Sequence, residues 1–248
     1  MLTLTSAQQS ALRKDMLARF KARMGAHIRA FAEDRIAAAG DDGLRLFVDR
    51  RVDEAIAFGL RQRGPVRCWL ELSVVLGAGF ERDPQHAPLL PDIDAQQWPM
   101  PYAQRLHANA SAYLRECFGA DRAILGRVIG QVVTQELPRA GDVATFLLDT
   151  VRDVWPERIE FAGAGPLRAL APAAEQAATQ AGLVSSRGRL LAATLCLCFG
   201  AGVMADPLYP FLQARLAEDR PEAERIERTL KGLRIYAAQV AERYPPDV

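Results

Sequence analysis

Two charged residues stand where the surrounding pattern calls for apolar ones. Arg51 projects to the centre of the apolar face of residues 44–59, between Leu44 and Ala55. Glu71 interrupts the run Trp69-Leu70-Glu71-Leu72-Ser73-Val74. Leaving either charge buried alone would cost about 3–5 kcal/mol, so two such charges are expected to meet. The residues 123 positions further on are Ala174 and Thr194, so both charges vanish together. An internal ion pair that fixes helix packing is the first expectation for Arg51 and Glu71. A polar binding pocket is the second, and snorkelling of the guanidinium to solvent the third.

Other motifs offer less chemistry. Val74-Val75-Leu76-Gly77-Ala78-Gly79 opens like a dinucleotide-binding glycine turn, but Arg82 stands where the third glycine belongs and Asp83-Pro84 follows at once. A helix stop at Gly77 and Gly79 fits better, with Asp83 capping the next element and Pro84 in its first turn. Gly200, Gly202, Asp206 and Pro207 repeat the arrangement. The histidines His27, His86 and His107 have no metal-ligand spacing, so no metal or cofactor is expected. Neither a Gly-x-Ser-x-Gly elbow nor a phosphate loop occurs, and no catalytic residue is assigned. The cysteines Cys68, Cys117, Cys196 and Cys198 form no disulfide or zinc pattern and read as small buried hydrophobes.

These residues are set in what reads as one helical unit written twice. At an offset of 123, Leu44-Arg45 falls on Leu167-Arg168, Gly59-Leu60 on Gly182-Leu183, Gly77-Ala78-Gly79 on Gly200-Ala201-Gly202, and Asp83-Pro84 on Asp206-Pro207. About 19 of the 98 positions compared without a gap are identical, and the recurring types are backbone punctuation. The reading is all-α, about ten helices in two tandem units, 1–123 and 124–248, packed as one globule. Ser6 with Gln9 suggests a capping box ahead of Leu12, Met16, Phe20, Met24, Ile28 and Phe31 at helical spacing. A second helix is expected from about 44 to 62, a third over 66–76, one after Trp98-Pro99, and a bridging helix over 119–134. The second unit should repeat the order over 140–154, 164–181, 186–199 and 221–242. On helix 44–62, Arg50, Glu54 and Arg61 form a stripe that is a candidate partner-binding surface, although a solvated face explains it as well.

Lys+Arg 31 against Asp+Glu 30 gives a net charge of +1, so nothing draws the chain toward nucleic acid. The first residues carry neither a basic nor an apolar leader segment. The longest uncharged apolar stretch, 190–205, is shorter than the roughly 20 residues that span a bilayer. A soluble cytoplasmic protein without membrane insertion is therefore expected.

The stretch from Leu44 through Gly59-Leu60, then Trp69 through Asp83-Pro84, resembles a group of bacterial helical proteins associated with type VI secretion gene clusters. The shared pattern is an arginine-bearing helix, Phe-Gly, an acidic-apolar helix and Leu-Gly-x-x-Phe-x-x-x-Pro, over residues 10–115; Gly79 departs from it. The resemblance implies a non-catalytic accessory role, binding a secreted effector as immunity protein, chaperone or adaptor. The alternative left open by the residues is an all-α enzyme or small-ligand binder using the cleft between the units.

Overall fold

A computed structural model describes residues 5–119, 123–134 and 136–243, and among these every regular element is helical. The described residues form eleven α-helices: α1 (Ser6–Phe31), α2 (Glu33–Phe58), α3 (Arg63–Leu76), α4 (Pro99–Phe118), α5 (Ala123–Thr134), α6 (Val143–Val154), α7 (Pro156–Ala162), α8 (Gly165–Gln180), α9 (Ser186–Phe199), α10 (Pro210–Leu216) and α11 (Glu222–Arg243). No helix among the described residues is long and apolar enough to cross a membrane.

Local chemistry moves some boundaries from where the pattern put them. The capping box at the start of α1 is Thr5 with Gln8, one residue earlier than the Ser6–Gln9 expectation. Gln8 N–H donates to Thr5 Oγ1 at 3.3 Å and Thr5 N–H to Gln8 Oε1 at 2.9 Å. Helix α2 is broken at Gly40 (φ 69°, ψ −179°), which is not helical, so its main part begins after that break, near the expected start. It stops at Phe58, short of the expected 62, because Gly59 takes the left-handed conformation. Arg61 therefore lies beyond the helix and is exposed, and the stripe Arg50–Glu54–Arg61 does not exist as one face.

The two halves share their framework at the offset seen in the sequence. Helix α3 over 63–76 matches α9 over 186–199, and the 3-10 turn Phe80–Arg82 matches Val203–Ala205. Helix α1 ends at Phe31 and α6 at Val154, followed by Ala32 (φ −143°, ψ 52°) and Trp155 (φ −145°, ψ 51°). Gly40 (φ 69°, ψ −179°) has its counterpart in Gly163 (φ 72°, ψ −179°). The halves part company elsewhere. Residues 6–31 are one continuous helix, whereas the matching stretch, 129–154, holds the end of α5 and all of α6, with α5 laid along α11.

One contiguous core runs through both halves, from Ile28, Phe47, Val52, Trp69 and Leu70 to Leu147, Leu170, Leu190, Leu195 and Leu233. Helix α9, buried along nearly its whole length, packs on α8, which also meets the 3-10 segment Pro84–Leu89 of the first half. Burial raises all four thiols, Cys68 to about 11 and Cys117 and Cys198 to about 12, so none is a thiolate near neutral pH.

Candidate binding site at the seam between the halves

The recurring Gly-Ala-Gly and Asp-Pro residues meet one another. Ala78 N–H donates to Asp206 Oδ2 at 3.1 Å, and Ala201 N–H donates to Asp83 Oδ2 at 2.7 Å. Each contact is the other shifted by 123 residues, an exchange of the kind found across a two-fold axis. The same carboxylates cap their own following turns, Asp83 at Gln85 N–H (3.0 Å) and Asp206 at Leu208 N–H (3.0 Å). Burial raises the Asp206 carboxyl above its ordinary range, and these N–H donors work against that shift.

The glycines do more than stop helices. A Cβ on Gly77 would lie 2.1 Å from Phe199 O, and one on Gly200 2.9 Å from Leu76 O. A Cβ on Gly202 would lie 2.1 Å from Ala78 O, although its backbone (φ −84°) suits any residue. Close approach of two backbones, and not turn conformation alone, demands glycine here. Gly79 is different: its φ is 84° and nothing crowds its Cβ position.

A cleft of about 420 Å³ opens beside this seam. Arg50, Glu54 and Arg82 form one wall with the buried Arg51 behind them; Ala173, Ala177 and Ala205 form the other, with Gln176 and Gln180. Each alanine stands 123 residues after one of those charged residues, so the space is what the second half vacates by carrying methyl groups. Arg50 spans the gap, donating to Ala205 O at 3.2 Å and to Glu54 at 3.2 Å.

Arg51 anchors the charged wall. It is 1% exposed, and its guanidinium lies over the rings of Trp69 and Phe80. Its Nε donates to Ser73 Oγ at 2.9 Å and its Nη2 to Glu81 Oε2 at 2.7 Å, while Nη1 bonds Glu54. Glu71 is not its partner, which corrects the expected Arg51–Glu71 pair. Two residues of α-helix turn the side chain by about 200°, so an α3 that aims Ser73 at Arg51 aims Glu71 away. Glu71 instead hydrogen-bonds His27 at 2.7 Å and accepts from Arg67 at 2.9 Å, with its side chain 21% exposed.

Arg51 does belong to a buried polar network, and Glu71 is not part of it. In the second half Arg51, Glu54, Ser73 and Glu81 correspond to Ala174, Ala177, Cys196 and Met204, so the entire cluster is replaced at once. The joint change of Glu81 and Glu54 was visible in the sequence and would have found the partners. Arg50 and Glu54 do line the cleft; Arg61 does not.

The lining contains no histidine, cysteine, serine, threonine, tyrosine or lysine. Its carboxylates are engaged, Glu54 by Arg50, Arg51 and Arg82, and Asp83 by backbone and Gln85 donors. Among the described residues no group of His, Cys, Asp or Glu is arranged to hold a metal ion. The chain matches no protein-family model, no curated protein and no solved structure.

Proposed function

We propose that the two halves are copies of one helical unit and that the chain is a non-catalytic cytoplasmic protein which takes a segment of another protein into the cleft at their seam. The resemblance of residues 10–115 gives this activity a setting, an accessory of a type VI secretion effector cluster acting as immunity protein, chaperone or adaptor. The observation that supports binding is the unequal cleft itself: guanidinium groups with spare N–H donors on one wall, methyl groups on the other, and a rigid hydrogen-bonded floor. Such a surface offers hydrogen bonds to peptide carbonyls and room for a side chain, while its engaged carboxylates leave no free base.

The test refills the cleft. Ala205→Arg and Ala173→Arg place in the second half the side chains that the first half carries at the matching positions, Arg82 and Arg50, both at partly or fully exposed sites. A partner that co-elutes stoichiometrically with the wild-type protein should be lost from both variants while their melting temperatures stay within a few degrees. Undiminished co-elution would refute the cleft as the docking site. The second reading, a small-ligand site, draws on the cleft volume, which falls in the range of small-molecule pockets. A low-molecular-weight compound released on denaturing the wild-type protein, and absent from Ala205→Arg, would favour it.

A further inference from the structure

A second recognition surface, separate from the seam cleft, involves helix α1. Residues 5–16 are exposed on every side, so about three turns of α1 overhang the body of the protein. The apolar stripe that is packed against the core at Leu17, Phe20 and Met24 continues onto this overhang as Leu12 and Met16, 50% and 53% exposed. Arg13, Lys14 and Arg23 flank the stripe without an ion-pair partner among the described residues, while Arg19 pairs with Asp15 at 2.9 Å. The overhang thus presents two cations unpaired among the described residues, Arg13 and Lys14, beside an uncovered apolar edge of Leu12 and Met16.

The complementary shape lies on the other half. A groove of about 390 Å³ runs between α6, the segment leading into it, and Leu190 of α9. Its floor includes Pro138, Phe146 and Leu190, and its rim carries Glu136, Asp142, Asp149 and Asp153. Asp149 has Arg152 beside it at 3.2 Å and Asp142 caps Thr145, but Glu136 and Asp153 have no ion-pair partner among the described residues. An acidic rim around an apolar floor is what a basic helix with leucine and methionine on one face would fill.

We propose that this groove receives the overhanging first turns of α1 from a second copy of the chain. Three features commit the groove to that occupant. The charges are opposite, the apolar edge continues one already used in the core, and both surfaces belong to the same chain. The rim carboxylates pair with Arg13 and Lys14, and Leu12 and Met16 enter the groove.

Sedimentation velocity of the full chain across a concentration series, at low and high salt, tests this with two charge reversals. All four substituted positions are exposed, so circular dichroism of Arg13→Glu/Lys14→Glu and Glu136→Lys/Asp153→Lys should match the wild type. The expected result is self-association of the wild type that weakens with salt and falls about tenfold or more in each reversed variant. Mixing the two variants should restore it, since each then presents the charge the other lacks. A wild type that is monomeric throughout overturns the proposal, and so does association that survives both reversals or is not regained on mixing. A monomer that nevertheless binds a foreign basic amphipathic peptide would give the groove to a different protein's helix and would equally overturn self-docking.

Discussion

Replacing Arg51 isolates the energetic role of the charged wall. In Arg51→Met the carboxylate of Glu81, 6% exposed, loses both of its guanidinium hydrogen bonds and keeps only the solvent-facing Arg82 at 3.3 Å. A buried charge left in that state costs about 3–5 kcal/mol. Glu81→Met alone should cost less, about 2 kcal/mol, because Arg51 retains Glu54 and Ser73. The double variant removes both charges and puts a flexible apolar chain beneath Trp69 and Phe80, so only imperfect packing remains, about 1–2 kcal/mol. The coupling between the two sites is then at least about 3 kcal/mol, far above the roughly 0.5 kcal/mol scatter of independent substitutions. Urea titration followed by circular dichroism measures it, provided the slope of the transition stays constant. A second cycle with Glu71→Thr is the control: Glu71 shares no partner with Arg51, so those two effects should add. Additivity of Arg51 with Glu81, or coupling of Arg51 with Glu71, would refute this arrangement of the wall.

Two further outcomes can be checked on the same instrument. Burial pushes the His86 imidazole down to about 4, against an ordinary 6.5. The unfolded chain binds the extra proton in that window, so the stability His86 contributes is present above pH 6.5 and is lost as pH falls toward 4, by about 3 kcal/mol in all. His86→Phe should flatten that slope; the Asp206 carboxyl, raised by burial, works in the opposite direction and stays in the variant. An unchanged slope would show that another group titrates. Among the glycines, Gly202→Ala should lower the melting temperature through its clash with Ala78 O, by about 1–3 kcal/mol of stability, with no help from backbone strain. Gly64→Ala, with open space around it, should raise stability by about 0.4–1 kcal/mol, and equal effects of the two would contradict the close approach at the seam.

The helices and the offset of 123 were legible because they depend on local signals. Periodicity fixed α3 and α9 to within three residues, and Gly77 and Gly200 end those helices as expected. Which residues face each other was much less legible. Glu71 was chosen as Arg51's partner because it interrupted an apolar run, a one-dimensional criterion, whereas Glu81 lies in a 3-10 turn whose position depends on how α3 ends. Arg61 falls on the stripe with Arg50 and Glu54 only if the helix runs on to about 62. The left-handed Gly59 ends it earlier, and the recurrence of Gly59-Leu60 as Gly182-Leu183 is the signal for that stop. The cleft was not readable from either half, since it is made by the difference between them.

That difference gives the seam its logic. Residues kept at matching positions are the ones the backbone contact requires: glycines without which the chains collide, and aspartates that each cap their own turn while accepting from the other half. A carboxylate that serves both halves cannot be lost from one without leaving a buried N–H unsatisfied in the other, so the framework resists change. Glu54 and Arg82 bear no such load, since their ion pairs stay within the first half, and Arg50 reaches across only to a backbone carbonyl, Ala205 O at 3.2 Å. The alanines at the matching positions of the second half leave open the space that arginine and glutamate side chains would occupy. Under the proposed function, binding specificity is expected to reside in the unmatched positions around the seam, with the matched ones holding the two walls at a fixed spacing.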